Sequence, residues 1–267
     1  MTGASPSILL LIPAYNEESR IGPVLETYAL YFREHHPDNF HLVVVLNGCT
    51  DDTLGVVERA SGQHPEISYV NIPEPIGKGG ALIEGLKLAP KADLVGYVDA
   101  DGATPPAAFD DLISECADAD CVIGSRWMAG AVLRQEQTFR RQFVSRVCHA
   151  IVQAFFWMNI HDTQCGAKVM HREAVKAIHG QLTVADMAFD INLLYAFKRS
   201  GYTVREVPTV GTDQVGSKVE MGRTSLVMLM SVIRLRLYYS PFYKWLAPLR
   251  PLEAWLYRKL SAPPPLK

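Results

Sequence analysis

Two aspartates one residue apart, Asp99 and Asp101, follow directly on the apolar run at residues 94–98 (LVGYV). Carboxylates so spaced at a strand end can both turn toward one hard cation. Mg2+ or Mn2+ favours such oxygen ligands in company with substrate phosphates. An isolated Asp-x-Asp is common in loops, so the pair gains weight only from its surroundings. Gly77-Lys78-Gly79-Gly80 stands where a helix is expected to begin. It offers backbone N–H groups and one cation, a place suited to a phosphate. It is not a P-loop, because the Walker spacing and the Ser or Thr after the lysine are absent; a helix start that needs glycine for its turn explains the same residues. Asn16-Glu17-Glu18 and the stretch from Asn47 to Asp52 are two further polar segments, each just after an apolar run. Basic residues gather in two groups, Arg134, Arg140, Arg141 and Arg146, then Lys218, Arg223, Arg234 and Arg236. Such clusters can hold phosphates or anionic headgroups, and a solvated helix face accounts for any single one of them. Cys165 has nothing nearby to activate a thiol, and the histidines show no metal-ligand spacing.

These residues need a frame that brings several loops to one rim. Residues 7–12 (SILLLI), ended by Pro13, and 41–46 (HLVVVL), closed by Asn47-Gly48, read as fully buried strands, because parallel strands covered on both faces lose polar alternation. Residues 67–72, 94–98 and 121–124 read as three more strands. Between them helical patterns are expected at 21–35, at 53–61 with Thr50 or Asp51 as N-cap, at 77–88, and after Pro105 and Pro106, a favoured place for proline. Strand and helix thus alternate to about residue 125, which argues a doubly wound, mostly parallel α/β sheet. In such sheets ligands bind beyond the carboxyl ends of the strands, and the polar segments fall at those ends. Later on, 143–160 and 226–239 have helical apolar patterns, 188–200 reads as a helix and 203–207 as a strand. No further strand is expected between residues 125 and 203.

A chain of 267 residues with 48% hydrophobic and 20% charged residues has the make-up of a soluble globular protein, long enough for one large domain or two small ones. Its net charge of −2 gives no global field for nucleic acid, so no nucleic-acid partner is expected. Five cysteines without a CxxC spacing suggest neither a disulfide framework nor a zinc site, which suits a reducing cytoplasm. No signal peptide is expected in the short polar residues 1–7, and no stretch reaches the roughly 20 apolar residues of a spanning helix. The 226–239 helix carries Arg234 and Arg236 and is followed by Phe242, Tyr243, Trp245, Trp255 and Tyr257. Aromatics beside arginines suit a headgroup zone, so peripheral membrane contact is expected there, with core packing or a homo-oligomer face as the alternatives.

Taken in order, Ile12-Pro13-Ala14-Tyr15-Asn16-Glu17-Glu18, Asn47-Gly48-Cys49-Thr50-Asp51-Asp52-Thr53, Gly77-Lys78-Gly79 and Asp99-Ala100-Asp101-Gly102 resemble the family 2 glycosyltransferases of the GT-A (Rossmann-like) fold. Gly124-Ser125-Arg126, Arg140-Arg141 with Ser145, Asp162-Thr163-Gln164-Cys165-Gly166-Ala167-Lys168, Phe189-Asp190 and Gly216-Ser217-Lys218 look like its polyprenyl-phosphate branch, the dolichyl-phosphate glucose synthases first and the mannose synthases next. The likeness spans roughly residues 8–225, and it implies a catalytic domain over 1–225 with an amphipathic, aromatic helical segment over 226–267. It implies that Pro13, Ala14, Tyr15 and Glu17 hold base and ribose, with Asn47, Asp51, Lys78 and Ala100 completing the nucleotide-sugar set. Asp99 and Asp101 match the pair that holds Mg2+ or Mn2+, Arg126, Arg141 and Ser145 the receivers of an acceptor phosphate, and Asp190 and Lys218 polar positions near the transferred sugar. Two departures stand out: many relatives have two acids where this chain has Leu46-Asn47, and the third metal ligand of the mannose type is replaced by Ala103. The implied activity is metal-assisted, inverting transfer of a hexose from UDP-glucose or GDP-mannose to a polyprenyl or dolichyl phosphate, at the cytoplasmic face of a membrane. A soluble or polysaccharide acceptor is the alternative, with Asp190 then the first candidate for general base, and a non-catalytic sugar-nucleotide-binding protein is a third reading.

Overall fold

The computed structural model describes residues 5–133, 139–211 and 221–240. Its first half is built as the apolar runs require. Strands β1 (Ile8–Ala14), β2 (Phe40–Asn47), β3 (Ile67–Ile72) and β4 (Leu94–Tyr97) alternate with helices α1 (Ile21–His35), α2 (Thr53–Gln63) and α3 (Gly77–Leu86). Helix α4 (Pro106–Glu115) leads to β5 (Cys121–Ser125). The strands pair in parallel, β1 lying between β2 and β4. Leu10, Leu11, Ile12, Leu42, Val44, Val45 and Leu46 are wholly buried, as expected of strands covered on both faces. On one face α1 lays Ile21, Leu25, Tyr28, Ala29 and Phe32 against them. Their spacing of three and four residues keeps them on one side of the helix.

Helix α2 begins at Thr53 after Asp52, and neither Thr50 nor Asp51 caps it in the expected way; the Asp51 carboxylate instead accepts the Thr53 amide in a local turn. Helix α4 does open on its proline, with Pro105 in extended conformation before Pro106.

Beyond β5 the helix expected at 188–200 and the strand expected at 203–207 are present, and further, unexpected strands join them. A short two-stranded parallel ladder joins β6 (Val132–Leu133) to β9 (Val210–Gly211). Strand β7 (Lys168–His171) is antiparallel and inserts between β4 and β5, and β8 (Val204–Pro208) adds in parallel beyond β5. The sheet order is β3-β2-β1-β4-β7-β5-β8. Helices α6 (Arg172–Ile178) and α7 (Phe189–Arg199) lie between β7 and β8.

The contacts divide the chain into two compact units, one of residues 1–136 and 160–215, the other of residues 137–159 and 216–267. In this division helix α5 (Phe139–Phe156) groups with α8 (Met221–Tyr238). Within this second unit Val152, Phe156, Met228, Val232 and Leu235 are buried. Among the described residues no helix is long and apolar enough to cross a membrane. The expected Gly216-Ser217-Lys218 segment and the aromatics from Phe242 to Tyr257 lie outside the described residues.

Candidate active site

The loops after β1 and β2 are tied to each other. Asn16 turns the chain with a positive φ of 54°, a conformation that a short polar side chain tolerates. Its carbonyl oxygen accepts the Thr50 amide at 2.8 Å, and its amide nitrogen donates to the Thr50 hydroxyl at 3.2 Å. Glu17 N–H donates to Thr53 Oγ1 at 2.8 Å. Glu18 accepts the Asp52 amide at 2.8 Å. The Asp51 carboxylate accepts the amides of Glu18 and Thr53 and the Thr53 hydroxyl. Burial pushes the Asp51 carboxyl up, but these donors outweigh it and hold the group below its usual range. Asp51 therefore braces the loops. Asn47 is engaged in the same way: it is buried, and its carbonyl oxygen accepts the Ile76 amide at 2.6 Å, joining the end of β2 to the start of α3. Glu17 forms a two-point fork with Arg20 at 2.7 Å per bond. Tyr15 stands out on the rim, and Pro13 and Ala14 close β1 beneath it. These residues, singled out for the nucleotide sugar, thus include three carboxylate or amide groups engaged by other residues of the chain: Glu17, Asn47 and Asp51.

The glycines at the start of α3 answer to packing. Gly77 has φ of 80°, and a Cβ there would meet the Ala185 carbonyl oxygen at 2.3 Å. At Gly79 a Cβ would lie 2.5 Å from the Val184 carbonyl oxygen. The Gly80 amide, counted from the sequence among possible phosphate donors, donates instead to Ala185 O at 3.1 Å. The segment over this helix start is itself fixed by Asn192, buried on α7, whose side-chain oxygen accepts the amides of Thr183 and Val184.

Lys78, the second residue of α3, reaches across to β4. Its Nζ lies 2.6 Å from Asp99 Oδ1 and 3.8 Å from Asp190 Oδ2. Burial alone would lower the Lys78 ammonium, and the charges of Asp99 and Asp190 reverse that and raise it. Asp99 is seated by a residue the sequence reading did not single out. Its Oδ2 lies so close to Gly166 that a Cβ there would be 2.2 Å away. Asp101 is turned by the Ala103 amide, which donates to its Oδ1 at 2.9 Å. Burial, joined by the neighbouring charge of Asp99, pushes the Asp101 carboxyl up. Ala100 is buried between the pair.

Beneath Lys78 lies a buried polar cluster. Asp190, at the start of α7, accepts from Lys168 Nζ at 2.6 Å and from the Tyr97 hydroxyl. Lys168 is wholly buried in β7 and also donates to the Cys165 carbonyl at 2.5 Å. Burial pushes the Asp190 carboxyl up, but Lys168 and Lys78 hold it below its usual range. Such a carboxylate is a weak proton acceptor, so the geometry does not favour Asp190 as a general base. Tyr97 was not a candidate from the sequence, and Lys168 entered only as the last residue of the Asp162-to-Lys168 motif, with no role of its own.

Arg126 follows β5 and grips Asp162. Its Nε and Nη2 donate to the two carboxylate oxygens at 2.7 and 2.8 Å, and its amide donates to Oδ2 at 3.0 Å. Asp162 is buried; burial would raise its carboxyl, and Arg126 outweighs that and lowers it. The Asp162 amide is tied in turn to Glu206 of β8 at 2.9 Å. Arg126 is thus half of a buried ion pair as well as a candidate phosphate ligand. Arg141 and Ser145 fall on α5 in the second unit, and Lys218 lies outside the described residues.

A carboxylate pair beyond β4, faced by a lysine and floored by a buried ion cluster, stands at the carboxyl end of the parallel strands, where open α/β sheets receive their ligands. The sequence profile of Glycosyl transferase family 2 matches residues 9–178, and the chain belongs to that family. A dolichyl-phosphate beta-glucosyltransferase of Trichomonas vaginalis is 31% identical over 242 residues, 87% of this chain and 73% of its own length. Glycosyltransferase AglD of Haloferax volcanii is 28% identical over 239 residues, 87% of this chain, and the chain spans only 37% of that longer protein. Among solved structures, glucosyl-3-phosphoglycerate synthase of Mycobacterium tuberculosis, in complex with Mn2+, UDP and phosphoglyceric acid, has a TM-score of 0.66 at 20% identity, covering 86% of this chain and 78% of the other. That likeness places the chain in the GT-A fold.

Proposed function

We propose that this protein transfers glucose from UDP-glucose to a polyprenyl or dolichyl phosphate, with inversion at the anomeric carbon. The reading is carried by the placement of Asp99 and Asp101 with Lys78 at the carboxyl end of β4, in a chain whose relatives include dolichyl-phosphate beta-glucosyltransferases. In the transfer, an acceptor phosphate oxygen bonds to the anomeric carbon as the bond to the diphosphate oxygen breaks, and UDP departs. A phosphate acceptor is already ionised near neutral pH, so no strong base is required. That agrees with Asp190 being held as a carboxylate among lysines. The chain's task is to hold two anions close together. In this reading Lys78 serves the diphosphate and Arg126 the acceptor phosphate. Arginine suits phosphate through its planar two-point geometry.

The donor set fits Mg2+ or Mn2+. Among the described residues no group of three or more His, Cys, Asp or Glu side chains is arranged to hold a metal. Mg2+ commonly takes only one or two protein carboxylates and completes its shell with substrate phosphates and water. Asp99 and Asp101 are the two that would hold it. Bound there, a divalent cation neutralises charge on the departing diphosphate. The UDP and Mn2+ in the tuberculosis enzyme support the same pairing of ligand and ion.

The second unit is read as the membrane-facing part, peripheral at the cytoplasmic face. It exposes Val147, Phe155, Ile233, Leu237 and, at 81% exposure, Trp157, together with Arg146, Arg234 and Arg236. Apolar groups beside arginines match the headgroup boundary.

The test is a transfer assay with purified protein, Mn2+ or Mg2+ and a short polyprenyl phosphate, with labelled UDP-glucose and GDP-mannose in turn. Label from UDP-glucose entering the organic phase, lost with EDTA, is the expected outcome. Label from GDP-mannose alone would change the donor. Label confined to the aqueous phase would replace the lipid acceptor by a soluble one.

A further inference from the structure

Lys78 has a second task, set by the way Asp99 is held. One oxygen of that carboxylate, Oδ2, rests against Gly166, where a Cβ would come within 2.2 Å. The other, Oδ1, faces the Lys78 ammonium at 2.6 Å. A further cation that takes Oδ1 must share it with Lys78 or replace it. A doubly charged ion and an ammonium on one carboxylate oxygen repel each other, and at 18% exposure for the Lys78 side chain and 37% for Asp99 water screens that repulsion only in part. Lys78 also has freedom to turn. Its charge sits on a flexible four-carbon stem at the second residue of α3. Its contact with Asp190 is the longer one, 3.8 Å, and Asp190 keeps Lys168 at 2.6 Å and the Tyr97 hydroxyl whichever way Lys78 points.

We propose that Lys78 is an internal counter-cation which a divalent metal displaces from Asp99 and thereby delivers to the nucleotide diphosphate, so that metal and diphosphate bind cooperatively through this one side chain. The inference rests on the reading that Asp99 and Asp101 hold the metal beneath a nucleotide sugar. By linkage the coupling is reciprocal: UDP strengthens metal binding by the factor with which metal strengthens UDP binding. Lys78 opposes metal alone, because the ion must break its contact with Asp99. It favours metal and UDP together, because the freed ammonium gains a diphosphate partner.

The experiment is Mn2+ titration followed by electron paramagnetic resonance, with and without saturating UDP, on the unaltered protein and on Lys78→Met, Lys78→Gln and Lys78→Arg. Circular dichroism and thermal melting establish that each variant is folded, and Lys78→Gln serves if Lys78→Met is not. Without UDP, the Met or Gln variant should bind Mn2+ roughly tenfold or more tighter, while Lys78→Arg, which keeps the charge, should stay near the original affinity. The factor by which Mn2+ tightens UDP binding should shrink about tenfold in the neutral variants. Unchanged or weaker Mn2+ binding in a folded neutral variant would overturn the counter-cation role and leave the metal reading standing. Absence of saturable Mn2+ binding in the unaltered protein would remove the metal reading, and this inference with it.

Discussion

Replacing Lys168 by Met tests the cluster beneath the site. Lys168 is wholly buried, and its partner Asp190 is only 2% exposed. Removing one member of a buried pair leaves an uncompensated charge, at about 3–5 kcal/mol. Two groups soften the loss here, the Tyr97 hydroxyl and Lys78 at 3.8 Å, so the lower end, about 3 kcal/mol, is expected. For a chain of this size that corresponds to a melting temperature lower by about 6–12 °C. The pH dependence carries the sharper sign. In the unaltered protein the Asp190 carboxyl is held low by Lys168 and Lys78, so its stabilising contribution is present above its unfolded value and is lost as pH falls through the still lower folded one. Without Lys168, burial prevails and the carboxyl rises. The variant is then penalised most at neutral pH, and the penalty shrinks as pH falls toward about 4, where Asp190 protonates. Urea denaturation at pH 7 and pH 4.5 measures both effects, and adding Asp190→Asn to Lys168→Met should recover part of the loss. A loss below about 1 kcal/mol at pH 7, or a difference independent of pH, would refute the account of this cluster.

Variants at three further positions follow from the same geometry. Gly166→Ala places a methyl where Asp99 Oδ2 now lies, so Mn2+ and UDP affinity should fall about tenfold or more with the fold retained, as read by titration and circular dichroism. Asp101 carries a carboxyl raised by burial and by Asp99, so its ionisation costs stability progressively as pH rises above its unfolded value; Asp101→Asn should melt roughly 1–3 °C higher at pH 7 while losing transfer activity, as scanning calorimetry and a label assay would show. Arg126→Ala should destabilise the protein by about 2–4 kcal/mol in denaturant, because Asp162 is left buried and unpaired; Arg126→Lys keeps a charge but loses the two-point grip, and is the better variant for isolating acceptor binding.

The parallel part of the sheet was legible because buried parallel strands are written as unbroken apolar runs. The runs at β1 and β2 could hardly be read otherwise. Strand β7 was not legible: it has four residues, begins with a lysine, and pairs with β4 and β5, both distant in sequence. Nothing local in Lys-Val-Met-His announces a central strand. The same asymmetry holds at the site. Asp99, Asp101 and Lys78 were found by residue type and position, and the structure brings Lys78 onto Asp99. Asn47, Asp51 and Arg126 carry the right polar groups, yet each is engaged by a neighbour that only the fold supplies: Ile76, Glu18 and Asp162. Lys168 was quoted within a motif but given no role, because a lysine is read as a surface residue until its counter-charge, more than twenty positions later, is seen.

The antiparallel strand between β4 and β5 also sets an order of events during synthesis. Strands β1 to β4 and helices α1 to α3 hold all their partners among the first hundred or so residues, even though β1 and β4 pair from opposite ends of that stretch, and can collapse once it is available. Strand β4 then waits for β7, about seventy residues further on, before its open edge is covered. Gly166, Lys168 and Asp190 arrive with that late segment, so the pocket around Asp99 is finished last. A nascent chain held at the stage of β5 would carry the Asp99–Asp101 loop without its floor and with a bare apolar strand edge, the stage at which a chaperone or a second nascent chain would most readily engage it.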